Sequence, residues 1–231
     1  MNALIHGPLF ALTLTLLAYQ GAIFLYQRSQ RAALLHPTIS GACLIALVLL
    51  VIGEDYQHYY QNIDWLNFLL GPVTVALAVP LYRQLHLLRE MAGPLMIATT
   101  LGGIFASASA LLIAWLFGAN DLTLLSLTTK SITTPVAITV TENLGGITTI
   151  AVGSVILSGV VGITTVNWLF AKLGIEDDRV WGFCLGLSAH AIGTSRAFER
   201  SPVAGAFSSL ALCLNGAFTA LMVPIAVPWF L

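Results

Sequence analysis

Apolar residues in this chain run in long stretches, and charged residues fall almost entirely in the gaps between them. About 20 apolar residues cross a hydrocarbon core, so those gaps mark candidate spans. The first runs over residues 6–26 and is closed by Arg28 and Arg31. The second covers 33–53, begins through His36-Pro37 and is closed by Glu54-Asp55. A polar, aromatic loop at 56–62 follows, whose tyrosines, with Trp65, read as interfacial anchors. Residues 66–82 contain Gly71-Pro72 and Pro80, which predicts a broken or re-entrant element rather than a straight helix. Residues 83–90 form a short amphipathic link to a long helix at 91–117.

After a turn at 118–121 come a segment at 122–140, an uncharged helix at 147–170, a polar loop at 172–179, a short Gly-rich run at 180–195 and a last helix at 203–230. Stripes of small residues recur every fourth position: Gly102, Ala106 and Ala110; Ser154, Ser158 and Gly162; Gly205, Ser209 and Cys213. Such stripes let helices approach closely and also suit a dimer contact. The fold class expected is all-α: a polytopic transmembrane helical bundle of about 7–8 membrane segments, some broken or re-entrant.

An internal echo suggests duplication. Pro72-Val-Thr-Val-Ala leads to a helix ending Trp115-Leu-Phe, and Pro135-Val-Ala-Ile-Thr leads to one ending Trp168-Leu-Phe. The chain then reads as one transmembrane domain, 1–231, with repeat halves at about 1–120 and 121–231. Loops at 28–31, 83–90 and 196–200 carry positive excess, whereas 54–64, 121 and 172–179 lean acidic, an alternation that fits eight crossings.

Composition agrees with a membrane protein. The chain is 58% hydrophobic and 8% charged, with a mean hydropathy of +0.90, against about 25% charged for soluble domains. Net charge is −1 and no basic block occurs, which excludes a nucleic-acid partner. Cys43, Cys184 and Cys213 are widely spaced within apolar runs and read as packing residues, with no metal or cofactor expected. No Lys or Arg precedes Arg28, so the first run is expected to remain as a transmembrane helix.

Lys130 departs from the pattern: it is the one charge well inside a membrane-length apolar segment. An ammonium near the bilayer centre costs roughly 2.5–3.5 kcal/mol, so such residues face a protein interior or a water-filled path. Thr128, Thr129, Ser131 and Thr133 crowd it, and Thr134-Pro135 follow. Proline opposes the preceding turn and removes a donor, which predicts a helix break there. A cation among hydroxyls and loosened backbone at membrane depth suits an anion site. The bland reading is that the hydroxyls bond their own helix carbonyls.

A second candidate lies at Ser188, His190, Thr194 and Arg196, where a Gly-rich run too short for a comfortable span carries polar side chains and Gly193 is the expected helix break. A lone histidine in an apolar helix is commonly a packing residue; the company here makes His190 a candidate donor or proton-sensitive group. Arg196 could meet a carboxylate, or mark the membrane edge. Asn143, in the Glu142-Asn143-Leu-Gly-Gly turn, is a further candidate, although that turn also reads as a helix C-cap. His6, His36, His58 and His86 lie near boundaries and read as solvated.

An enzyme is not expected. No Gly-x-Ser-x-Gly, His-Glu-x-x-His or phosphate-loop motif occurs. Neighbouring residues on a helix also point about 100° apart, poor geometry for Ser131 with Lys130.

Four stretches carry a resemblance: 69–82 (Leu-Leu-Gly-Pro-Val-Thr-Val-Ala-Leu-Ala-Val-Pro-Leu-Tyr), Lys130-Ser-Ile-Thr-Thr-Pro135, Ser188-Ala-His-Ala-Ile-Gly-Thr-Ser-Arg196, and Gly205-Ala-Phe-Ser-Ser-Leu-Ala211. In this order the chain resembles the LrgB/CidB family of bacterial inner-membrane proteins. One departure is Thr129, where the family usually has proline. The resemblance implies two functions. One is a holin- or antiholin-like protein modulating murein hydrolase activity and lysis beside an LrgA/CidA-like partner. The other is a carrier of small carboxylates such as pyruvate or glycolate. A simple pore needs neither a buried lysine beside a proline break nor several interrupted segments, and a carrier uses both. The expectation is therefore a carrier binding a small monocarboxylate through Lys130, Ser131, Thr133 and Thr134, faced by Ser188, His190, Thr194 and Arg196, with Asn143 nearby.

Overall fold

The computed structural model describes residues 7–69, 72, 78–83 and 85–229. The described residues are helical, and the chain divides into two compact units, residues 1–78 and 79–231.

In the first unit, α1 (Pro8–Arg28) packs against α2 (Pro37–Ile52). The turn between them places Gln30 and Arg31 at φ 54° and 60°, and His36 caps α2, its Nδ1 accepting from the Thr38 amide. His36 is buried, its ring edge-on to Tyr26 at 5.6 Å, and is therefore not solvated as its boundary position suggested. The expected loop at 56–62 is instead helix α3 (Tyr56–Ile63), because Asp55 caps it by accepting from the amides of Gln57 and His58. Tyr56 and Tyr60 are exposed, whereas Tyr59 is buried against α1 and hydrogen bonded to Thr15 at 2.7 Å. A short α4 (Trp65–Phe68) ends the described part of this unit.

Of the interruptions expected at 66–82, the one at Gly71-Pro72 lies outside the described residues apart from Pro72 itself. Pro80 lies in α5 (Ala78–Arg83), and residues 73–77 before that helix lie outside the described residues. A second short helix, α6 (Leu85–Glu90), leads to α7 (Ala92–Leu116).

The rest of the second unit alternates two kinds of element. The 121–143 segment is not one span. It consists of α8 (Asp121–Leu127), a non-helical stretch at 128–133, and α9 (Thr134–Asn143), with Pro135 in the first turn of α9. The two helices run back along each other: Thr129 Oγ1 meets Thr141 Oγ1 at 3.0 Å, and the amide of Ile147 donates to Ser126 Oγ at 2.7 Å. This is a helical hairpin with Lys130 and Ser131 at its tip. Gly145 at φ +75° turns the chain into the long helix α10 (Thr148–Leu173).

Helix α11 (Asp178–Arg200) is a second hairpin. As a straight rod its 23 residues would extend about 34 Å. Yet Arg200 Nε pairs with Asp178 Oδ1 at 2.6 Å, and Ser201 Oγ donates to Asp178 Oδ2 at 2.5 Å. The reversal is at His190, whose φ of 41° and ψ of −130° are not helical. Gly193, expected as the break, lies three residues later. There a Cβ would come within 2.5 Å of the Leu185 carbonyl, so glycine permits the arms to close. The last long helix, α12 (Pro202–Ala226), packs along both arms: Gly182 and Gly186 lie against the backbone of Ala204 and Ser208, and Thr194 Oγ1 meets Ser208 Oγ at 2.9 Å.

Four described helices are long and apolar enough to cross a membrane: α1, α7, α10 and α12. Two expected crossings, 122–140 and 180–195, are hairpins instead, because a hairpin of two short arms holds as many apolar residues as one span. Each arm of α11 is about ten residues, or roughly 15 Å, half of a bilayer core. The charge alternation changes with it. The acidic 172–179 loop and the basic 196–200 stretch, expected on opposite sides, lie together as the Asp178–Arg200 pair.

The small-residue stripes are used within the chain. Gly102 faces Leu187, Gly162 faces Ala189 and Gly205 faces the Phe198 ring, so each accommodates part of the α11 hairpin.

Candidate functional site

The first hairpin opens from the end of α10 that follows it, and the second from the opposite end of α10. Their tips meet at the same place on that helix. Ser158 Oγ donates to the Lys130 carbonyl at 2.5 Å, and His190 Nε2 donates to the Val155 carbonyl at 2.8 Å. Val155 and Ser158 are about one helical turn apart, within roughly 6 Å.

Unwound backbone at this depth must be satisfied by protein, since lipid offers no partners. Three helices supply the donors. Ser107 of α7 donates to the Thr128 carbonyl at 3.3 Å, Ser158 of α10 serves the Lys130 carbonyl, and Asn215 Nδ2 of α12 donates to the Ser131 carbonyl at 2.9 Å. Ile132 is fully buried against Val155, which seats the tip on α10.

The positive groups at the tip are less occupied. Lys130 is half-buried, and its Nζ donates to Ser131 Oγ at 3.2 Å. No ion pair found among the described residues includes it. Helix α9 starts here with Thr133 as N-cap and no side chain capping it. The descending arm of α11 starts at the other tip. Helix N-termini favour anions through their free amides and dipole. Two N-termini and one ammonium therefore converge where the hairpins meet.

A model of the LrgB-like family matches residues 15–229. The chain belongs to this family. Among its relatives is the uncharacterized protein YwbG of Bacillus subtilis (strain 168), 36% identical over 222 residues, 96% of each chain. The holin-like protein CidB of Staphylococcus epidermidis is 29% identical over 85% of this chain and 86% of its own. The antiholin-like protein LrgB of Bacillus mycoides (strain KBAB4) is 27% identical over 96% of each chain. No solved structure matches. Four long apolar helices and these relatives make it a membrane protein.

The candidate residues of this LrgB-like chain separate into two groups. Lys130, Ser131, Thr133 and Thr134 form the first tip and the start of α9, and His190 forms the second, with Ser188 half a turn before it. Ser188 Oγ donates to the Cys184 carbonyl of its own helix, and Thr194 Oγ1 donates to the His190 carbonyl while meeting Ser208. His190 is buried, and its Nε2 proton is committed to Val155, so the ring shapes the tip.

Two candidates lie elsewhere. Asn143 is exposed at the base of the first hairpin, at the end of α9. Arg196 lies down the descending arm and pairs with Glu199 at 2.6 Å. The supporting donors Ser107, Ser158 and Asn215 escaped the sequence reading. Asn215 carried a signal, being an amide in the middle of an apolar, membrane-length helix.

A groove of about 620 Å³ between α7, α8 and α12 reaches Gly103, Ser107 and Thr128 at its inner end and is otherwise apolar. Neither Lys130 nor His190 lines it.

Proposed function

We propose that this LrgB-like protein is an alternating-access carrier of small monocarboxylates in the bacterial inner membrane, crossing it several times. The observation that carries the reading is Lys130: an ammonium at the tip of a membrane hairpin, hydrogen bonded to Ser131 and without a carboxylate partner among the described residues. Interrupted segments meeting near the middle of the crossing helices are what carriers use to bind a solute between two sides. The carboxylate would sit between Lys130, the Ser131 and Thr133 hydroxyls and the N-terminus of α9. Thr134 and His190 would shape its surroundings. A homodimer and an LrgA/CidA-like membrane partner belong to the same proposal.

A second reading, a holin- or antiholin-like protein that modulates murein hydrolases and lysis, is favoured by the names of its relatives, CidB and LrgB. Uptake of labelled pyruvate, lactate, glycolate and acetate into proteoliposomes, with and without an LrgA-like protein, separates the two. The carrier reading expects saturable uptake that Lys130→Met abolishes and Lys130→Arg partly keeps. Leakage of trapped dyes of mixed size and charge, with no saturable uptake, would establish the second reading instead. Equal uptake by wild type, Lys130→Arg and Lys130→Met would remove the lysine from the site.

A further inference from the structure

We propose that Asn215 is the positioning residue that ties the two hairpin tips together, so that the site between them is assembled or released as one unit. The functional half of this proposal rests on the carrier reading; the mechanical half does not.

A primary amide has two protons and one acceptor oxygen. Asn215 uses its protons on different hairpins: Nδ2 donates to the Ser131 carbonyl at the tip of the first at 2.9 Å, and to the Leu187 carbonyl, just before the tip of the second, at 3.3 Å. The side chain projects from the middle of α12 and is 1% exposed. No other side chain among the described hydrogen bonds touches both hairpins in this way.

Its Oδ1 is the one buried side-chain polar atom among the described residues without a hydrogen-bond partner. An acceptor left unmade at such depth is costly, and a residue present only for packing would be better replaced by leucine. The arrangement keeps the amide for its two protons. Gly103 of α7 sets its position: a Cβ there would stand 2.9 Å from Oδ1 and 3.1 Å from the Phe218 ring. Gly103 thus leaves just the room that lets the amide face both carbonyls.

Release of either carbonyl, one on unwound backbone and one at the end of a helical arm, leaves an acceptor at membrane depth that the protein must satisfy elsewhere. The two tips therefore open together. Transport needs a site that is whole when loaded and dissolves when emptied, and one bridging amide provides that link.

Hydrogen exchange of the full-length protein in lipid nanodiscs tests the tie directly. Asn215→Leu and Gly103→Ala should each speed amide exchange about tenfold at both 128–133 and 187–193, leaving the C-terminal half of α12 as in wild type. Both variants should lower the melting temperature, because buried carbonyls lose a donor, and in proteoliposomes should raise KM for uptake with the maximal rate kept. Exchange unchanged at both tips, or faster at one tip alone, overturns the proposal. A lower melting temperature with uptake kinetics unchanged in both variants overturns it as well, because Asn215 is then a packing residue. Coupled exchange in a protein that takes up no carboxylate leaves the tie standing and removes the carrier reading. Saturable uptake with uncoupled exchange does the reverse.

Discussion

Gly186→Ala tests the close packing of α11 on α12. A Cβ at this position would lie 2.0 Å from the Ser208 carbonyl oxygen and 2.8 Å from its Cα and carbonyl carbon. The obstructing atoms are backbone, so no rotamer change relieves them, and the helices must part by about 1 Å or more, an overpacking that costs about 1–3 kcal/mol. Parting also loosens every other contact along that interface, since dispersion falls steeply with a gap of this size. Against this, alanine gains about 1 kcal/mol of helix propensity over glycine. The control is Gly153→Ala in α10, which has the same propensity gain and nothing within 4 Å of the new Cβ. The two variants should therefore differ by the packing cost alone, about 1–3 kcal/mol, or roughly 2–12 °C in melting temperature at 2–4 °C per kcal/mol for a chain of this size. Tryptophan fluorescence on heating in detergent reads this difference, because Trp181 is buried in the same arm. If Gly186→Ala and Gly153→Ala melt together, the ascending arm of α11 does not lie backbone to backbone on α12, and the hairpin as described is wrong.

Three further outcomes are expected. At His190, with φ of 41°, His190→Gly should be more stable than His190→Ala by about 1 kcal/mol, since only glycine takes that backbone without strain; equal thermal stability would place the reversal elsewhere. Ser158→Ala strips the Lys130 carbonyl of the Ser158 hydroxyl and should cost about 1–3 kcal/mol, read by the same melting assay; no loss would mean the tip does not rest on α10. Asp178 is held below its usual value first by the Ser201 hydroxyl and then by Arg200, and Asp177 is brought down to about 2 chiefly by Arg179. A depressed carboxyl stabilises above its unfolded value of 3.8 and loses that contribution as pH falls toward its folded value. Because the pair is about one third exposed, the contribution is at most about 1 kcal/mol. Melting temperature should fall between pH 4 and pH 2 in wild type and less steeply in Asp178→Asn; parallel profiles would exclude the Asp178 clasp as its source.

The membrane class, the helical fold and the interruption beside Lys130 were legible in the sequence, each for a local reason: long apolar runs, one stranded charge, and a proline whose ring opposes the preceding turn. The reversal at His190 was not. No proline stands there, and the break expected at Gly193 falls three residues too late. What forces the turn is tertiary: glycines 182 and 186 let one arm lie on α12, Gly193 lets the second arm lie on the first, and Asp178 holds Arg200 and Ser201 at the base. Hydropathy measures how many apolar residues follow one another and not whether the chain turns midway, so hairpins were counted as crossings. The close packing expected of the small-residue stripes has a local reason too, and Gly102 and Gly162 face α11.

The asymmetry of hydrogen bonding at the tips gives the site its sign. Three backbone carbonyls of the unwound stretch, those of Thr128, Lys130 and Ser131, each receive a donor from a different long apolar helix. The negative ends of the loosened peptides are thereby neutralised by the scaffold itself. The positive groups receive far less: one hydroxyl for the Lys130 ammonium and no side-chain cap for α9. With the donors in place, the unmet demand at the junction of the hairpins is for an acceptor, which the proposed carboxylate beside Ser131 and Thr133 would meet. On this argument, weakening the donors should weaken anion binding even though none of them touches the anion. Ser158→Ala should therefore lower affinity for a carboxylate in proteoliposome uptake, and unchanged affinity in that variant would show that the surplus of positive charge does not depend on the carbonyls being held.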